Sequence, residues 1–332
     1  MNNALTTHIS MKKKVTDNII SNKSNDIKPP GSKKGFSYYL KRDFFLYLML
    51  LFPIAYILIF KYGSMYGVLI AFKDYNIFKG INESPWNNFA TFKEIFKMKD
   101  FYTAVRNTLM LNGLDLIAGF PAPILLALMI NEVVSVKFKK ISQTILYLPH
   151  FLSWVIIGGI VTQMFASTGM VNSVIKSIGF AAVPFLSENW HWLFTYIIIG
   201  VWQSAGWGTI LYLAAISGID RQLYEAADVD GASKLKKIWH ITLPGMKPTI
   251  LILLILQLGR IMSIGFDRPY ILANTLVMDF GDVISTYVYR IGIQAGNFSV
   301  GAAVGLFQSV ICMIFVVAAN YITEKSGEQG IW

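Results

Sequence analysis

The chain has 332 residues, is 54% hydrophobic and 14% charged, and carries a mean hydropathy of +0.50 with a formal net charge of +10. Soluble domains carry about a quarter charged residues, so this composition excludes an ordinary soluble enzyme and points to a polytopic membrane protein. The basic excess is read as lysines and arginines that orient helices in a bilayer, not as a nucleic-acid footprint.

In chain order, residues 1–36 are expected to be a disordered basic cytoplasmic tail, because they lack apolar side chains to bury. Nine Lys/Arg fall within residues 1–43. That charged stretch is too long for a signal peptide, and no small-residue cleavage site follows it. Residues 37–325 are expected to form the membrane domain and 326–332 a short C-terminal tail.

Six segments are apolar enough to cross a bilayer as helices, which takes about 17–25 residues each. They are approximately 44–62, 108–130, 144–166, 191–216, 249–266 and 298–322. The expected class is therefore all-α, with six transmembrane helices and both termini cytoplasmic. On that topology the inner segments hold 18 Lys/Arg and the outer loops 9, as the positive-inside rule requires.

The first outer loop contains "FATFKEIFKMKDFYTAV", whose helical spacing predicts an amphipathic helix at the outer interface. "SPWNNF" at 84–89 reads as a turn. "STGMVNSVIKSIG" at 167–179 reads as a short outer helix ended by Gly179.

Polar residues inside the spans are costly in lipid and normally face the bundle interior or a water-filled path. Asn112 and Asp115 lie in the second span, Gln203, Ser204 and Trp207 in the fourth, and Gln257 and Arg260 in the fifth. Amides with tryptophan suit a sugar, which offers hydroxyls at the ring edge and apolar C–H faces. The alternative for each is a hydrogen bond between helices. Arg260 falls roughly 17 Å into its span at 1.5 Å per residue, so it needs compensation. An internal pair with Asp115 ranks ahead of a carboxylate on the cargo, and Gln257 lies one turn earlier on the same face.

Between the fourth and fifth spans runs "GIDRQLYEAADVDGASKLKKIWHITLPG". Asp220 is a good N-cap. Leu223, Tyr224 and Ala227 share one face, with Arg221, Glu225 and Asp228 on another. Gly231 permits the left-handed backbone that ends a helix. Ser233 caps a second helix with an apolar stripe of Leu235, Ile238 and Ile241. Pro244 and Pro248 are expected to end that helix and lead into the fifth span. On spacing alone, an amphipathic re-entrant hairpin that merely connects two spans is the preferred reading.

The order Glu225-Ala226-Ala227, Asp230-Gly231-Ala232, then Ile241-Thr242-Leu243-Pro244 resembles the EAA loop of ABC importer permeases. The segments "FPAPILLALMINEV", "YLPHFLSWVI", "GWGTILYLAAISGID", "DVISTYVYRIGIQAGNFSVGAAVGLFQSVI" and the final "GIW" resemble the LplB-like branch of the carbohydrate, or maltose-type, permeases. The likeness covers nearly everything after residue 37.

What this resemblance implies is a permease subunit of an importer that moves a sugar, such as an oligosaccharide, into the cytoplasm. A second permease subunit, usually different, completes the pathway. Two copies of a cytoplasmic ATPase bind ATP and its magnesium, and this chain binds no cofactor of its own. An extracytoplasmic binding protein delivers the sugar. The coupling loop is 220–248, with Glu225, Ala226, Ala227, Asp230, Gly231, Ala232, Leu243 and Pro244 as the residues that meet the ATPase. Asn112, Asp115, Gln203, Trp207, Gln257 and Arg260 are the pathway candidates.

Other chemistries find no footing in the sequence. There is no P-loop run, and His8, His150, His191 and His240 lack metal-ligand spacing. The single cysteine, Cys312, sits in an apolar run, which excludes a disulfide framework. A secondary transporter is the rival reading and a membrane-embedded enzyme the weaker one, but neither accounts for the helix–glycine–helix segment.

Overall fold

The computed structural model describes residues 42–325, together with 327 and 330. The expected tail of residues 1–36 lies outside the described residues, as does most of 326–332. The chain divides into two compact units at Tyr66/Gly67. Among the described residues, six helices are long and apolar enough to cross a membrane.

The first is α1, Phe44–Phe72. No residue of Phe44–Ile57 is buried, although nearly all are large and apolar. A helix that is apolar all round belongs in lipid. Pro53 lies inside it, and a π turn at Leu58–Tyr62 follows.

The second unit takes in the last residues of α1, from Gly67, and a compact loop after them. Lys73 pairs with Trp86 in an isolated antiparallel bridge, and Asn88 and Phe89 take positive φ. The turn expected at 84–89 is therefore present. The expected amphipathic helix is not continuous: α2, Ala90–Ile95, stops, and Met98 is extended. The remainder of that stretch is instead the start of the second span, α3, Lys99–Asn131. The expected start near 108 fell short because Asp100, Arg106 and Asn107 make this turn look like a loop. Their polarity is absorbed locally. Arg106 donates to the Asp279 carbonyl at 2.6 Å, and Asn107 to the Asp282 carbonyl at 2.8 Å.

The third candidate span is Trp154–Ser177, not 144–166. Helix α4, Val136–Tyr147, and helix α5, Trp154–Phe165, are separated by a 3-10 turn at Leu148–Phe151 and an extended Leu152. Pro149 lacks the N–H that an α-helix needs there, and Ser153 caps the new helix through Ile156 N. Helix α6, Met170–Ser177, matches the short outer helix, and Gly179 follows at φ +91. Helix α7, Asn189–Ser217, is the fourth span.

Helix α8, Arg221–Val229, begins the charged segment. Helix α9 runs Lys234–Leu258. Here the structure corrects the sequence reading: Pro244 and Pro248 do not end the second hairpin helix. A π turn at Ile238–Thr242 carries the helix straight into the span, with Pro244 in the first turn of the next α segment and Pro248 inside it. The wider i→i+5 turn removes the demand for the hydrogen bond that a proline cannot give. The span then ends at Leu258, not near 266.

Beyond it lie α10, Asp267–Leu272, then a helical stretch α11 at 284–294, and the sixth span, α12, Phe298–Lys325. Three cores hold this unit together. One gathers Phe101, Ile261, Met262, Tyr287 and Val304; a second surrounds Trp192 and Tyr196; a third, beside the hairpin, joins Ala127, Tyr212, Ile216 and Met246.

Candidate functional site

Two places concentrate the candidate residues: the hairpin between α7 and α9, and a cavity among α3, α7 and the end of α9.

In the hairpin, Asp220 caps α8 by accepting from Gln222 N at 2.9 Å. Gly231 takes φ +68, the left-handed conformation predicted for it; a side chain there is strained. Two contacts fasten the arms. Lys237 donates to Asp228 at 2.6 Å, and the hydroxyls of Tyr224 and Thr242 lie 2.9 Å apart. Glu225 is exposed and lies 3.6 Å from Arg221 one turn earlier. Ala226 and Asp230 are exposed with it, while Ala227, Ala232 and Leu243 are half-buried. Leu223 does not share the inner face with Tyr224 and Ala227 as expected. It points out, and with Val229, Leu235 and Trp239 it leaves large apolar groups uncovered at the end of the bundle.

The cavity has a volume of about 390 Å³ and is lined by Asp115, Ser204, Gly208, Gln257, Arg260 and Arg268 among others. The pair expected between Asp115 and Arg260 is absent. Asp115 is instead held by Arg268, whose two terminal nitrogens donate to its carboxylate at 2.6 and 3.2 Å. The same guanidinium donates to the Tyr196 carbonyl at 2.6 Å and lies 3.7 Å from the centre of the Tyr196 ring. Gly200 makes room for it, since a Cβ there would sit 2.1 Å from an Arg268 nitrogen.

Arg260 is left over. It is not deep inside a continuous helix, because α9 ends two residues earlier. Its guanidinium is exposed to the cavity and has no ion pair or side-chain hydrogen bond among the described residues. With Asp115 neutralised by Arg268, the lining keeps one uncompensated positive charge. Gln257 accompanies it, as predicted.

The other candidates separate. Asn112 does not line the cavity; it donates to the Ile261 carbonyl at 2.7 Å, and Gln308 does the same for Met262. These amides satisfy backbone carbonyls in the non-helical turn that follows α9, which lipid cannot do. Trp207 lies off the cavity, stacked on His150 at 4.6 Å between ring centres with Phe151 edge-on at 5.5 Å. Gln203 is also outside the lining. Arg268 was missed because it falls among residues counted as outer loop; nothing local marks it as a partner for Asp115.

Residues 119–326, which hold the cavity lining apart from Asp115, the hairpin and the last two spans, match the family described as "Binding-protein-dependent transport system inner membrane component". The chain belongs to this family. The permease is 45% identical over 303 residues to protein LplB of Bacillus subtilis (strain 168), covering 90% of this chain and 95% of that one. It is 43% identical to the polygalacturonan/rhamnogalacturonan transport system permease protein YteP of the same organism, covering 87% and 90%. A solved bacterial alginate ABC transporter, in complex with an alginate pentasaccharide-bound periplasmic protein, contains a chain with a TM-score of 0.81 and 42% identity. That match covers 90% of this permease and all of its counterpart. The protein is therefore a membrane-embedded permease subunit of an ABC importer and not an enzyme. The secondary-transporter and membrane-enzyme readings fall away.

Proposed function

We propose that this permease imports an acidic oligosaccharide, handed over by an extracytoplasmic binding protein and driven by an ATPase seated on the hairpin 220–242. The pathway is completed by a second permease subunit, and two ATPase copies bind ATP and magnesium on the cytoplasmic side, where both termini of this chain also lie.

The observation that carries the reading is the contrast inside the hairpin. Its arms are fastened to each other through Lys237–Asp228 and Tyr224–Thr242, while Leu223, Val229, Leu235 and Trp239 are exposed. An exposed apolar patch on a stiff, capped element marks a protein contact surface. Glu225 stands beside it as a charge for a basic group on the ATPase. ATP moves such a transporter only through its different affinity for two states of the ATPase dimer, so the linking element must be rigid.

Acidic cargo is inferred from Arg260, whose uncompensated charge in an otherwise balanced cavity suits a carboxylate. The relatives named for polygalacturonan and alginate support it. Gln203 and Trp207 lie on another face of the same stretch of α7, with the Trp207 ring stacked on His150, and offer an amide and an aromatic edge to a sugar elsewhere along the route. Two measurements test the proposal. Purification from native membranes is expected to retain an ATPase and a second permease in fixed ratio. Uptake of uronic-acid oligosaccharides is expected to fall at least tenfold in Arg260→Gln, with neutral sugars changed little. Equal loss of both classes removes the case for acidic cargo.

A further inference from the structure

The start of α4 carries charge that the chain does not balance. Lys137, Lys139 and Lys140 lie within four residues, and none has an ion pair or side-chain hydrogen bond among the described residues. Neighbouring acids are engaged: Glu132 lies 3.8 Å from Lys234, and Asp228 is bound by Lys237. Lysines at the start of a helix also oppose its dipole, so the segment is electrostatically unfavourable on its own.

The same segment exposes a run of apolar side chains. Val134, just before the helix, and Phe138, Ile141 and Ile145 within it are 57–88% exposed. At 100° per residue the three helical ones form one stripe. Lys137 flanks it, while Lys139 and Lys140 lie towards the back of the helix, roughly 130° from its centre.

Position in the membrane follows from two contacts. Near the far end of α4, the Leu146 carbonyl meets α7 at Gly206, where a Cβ would sit 1.8 Å from that oxygen. Gly206 is about three turns, roughly 16 Å, from the end of α7 at Ser217. Val136 lies about 15 Å back along α4, and Glu132 just before it meets Lys234 at the base of the hairpin. The lysines therefore sit at the membrane boundary on the hairpin's side, with the apolar stripe rising from them into the bilayer.

We propose that this end of α4 is a binding surface for anionic phospholipid headgroups in the leaflet on the hairpin's side. The stripe lies against acyl chains, and the long lysine stems reach from it to lipid phosphates. Charge complementarity selects the occupant: three unbalanced cations at the boundary end of a helix with an apolar face match an anionic lipid surface.

The test uses the permease purified with its native partner subunits and titrated with phosphatidylglycerol or phosphatidylcholine, with bound lipid counted by native mass spectrometry. Wild type is expected to retain phosphatidylglycerol in preference to phosphatidylcholine. At roughly fivefold per lysine near an anionic surface, K137Q/K139Q/K140Q is expected to lose phosphatidylglycerol affinity by tenfold or more. K137R/K139R/K140R is expected to keep it. Unchanged phosphatidylglycerol affinity in the glutamine variant overturns the proposal. So does loss of the ATPase or second permease from that variant with lipid binding intact, which would make this face a protein contact. Should the glutamine variant fail to fold, salt decides with wild type: phosphatidylglycerol retention must weaken as ionic strength rises, and indifference to salt overturns the idea.

Discussion

In the hairpin, each fastening contact is short in sequence: Asp220 to Gln222 spans 2 residues, Lys237 to Asp228 spans 9, and Tyr224 to Thr242 spans 18. Around Arg268 the partners come from far away, 153 residues to Asp115 and 72 to Tyr196. The hairpin's shape is thus specified by its own residues, and its outer surface is left free. The Arg268 cluster exists only once α3, α7 and α10 are assembled. Substitutions in the two regions should therefore act on different quantities. Stability should answer to the distant cluster, and partner binding to the local one.

The largest stability effect is expected from Arg268→Ala. It strands Asp115 in a mostly buried position, and removing one partner of a buried pair costs about 3–5 kcal/mol. Thermal unfolding of the purified protein should show a marked fall, with Asp115→Asn added to Arg268→Ala restoring most of it. A single variant with wild-type melting would break the contrast at once. Gly200→Val comes next. Its side chain displaces the guanidinium it now cradles, and such overpacking costs about 1–3 kcal/mol. Because both changes act through one contact, the double variant Gly200→Val/Arg268→Ala should be little worse than Arg268→Ala alone.

Within the hairpin, Gly231→Val is expected to strain the backbone by about 1–3 kcal/mol at positive φ. That strain should stay local. Limited proteolysis near residues 229–234 should speed up, while the unfolding of the bundle shifts little. The smallest stability effect is expected from Glu225→Lys. This exposed group loses only a surface pair with Arg221, so the change should fall within about 0.5 kcal/mol. Yet it should have the largest effect on ATPase retention in a pull-down. Normal retention together with normal transport would remove Glu225 from the coupling surface.

The same division governs what could be read from the sequence. Asp220, Gly231 and the two hairpin arms were legible because capping and left-handed turns are decided by neighbours. The polar triplet Asp115, Gln257 and Arg260 was recognisable as a set, since intramembrane charge is unusual wherever it occurs. Its pairing was not. Arg260 and Arg268 are chemically equivalent claimants for Asp115, and only the close approach at Gly200 and the Tyr196 carbonyl decide between them. Asn112 was misread for a related reason. An amide looks the same whether it faces a sugar or a helix end, and the end of α9 at Leu258 is hidden within an apolar run. Span limits suffered likewise wherever a π turn or a locally satisfied arginine replaced the expected break, as at Pro244 and Arg106.

The unbroken run of α9 gives the hairpin a mechanical reach. One helix begins three residues after Gly231, in the second arm of the hairpin, and ends two residues before Arg260 at the cavity. Its 25 residues make a lever roughly 36 Å long at 1.5 Å per residue. A tilt of about 5° at one end swings the other by roughly 3 Å over that length. That displacement equals a hydrogen-bond length, enough to pull the Ile261 carbonyl away from Asn112 and re-aim Arg260. A tilt of the hairpin end would thereby reach the cavity end through helix alone, with the π turn at Ile238–Thr242 and Pro248 as the places where it can bend.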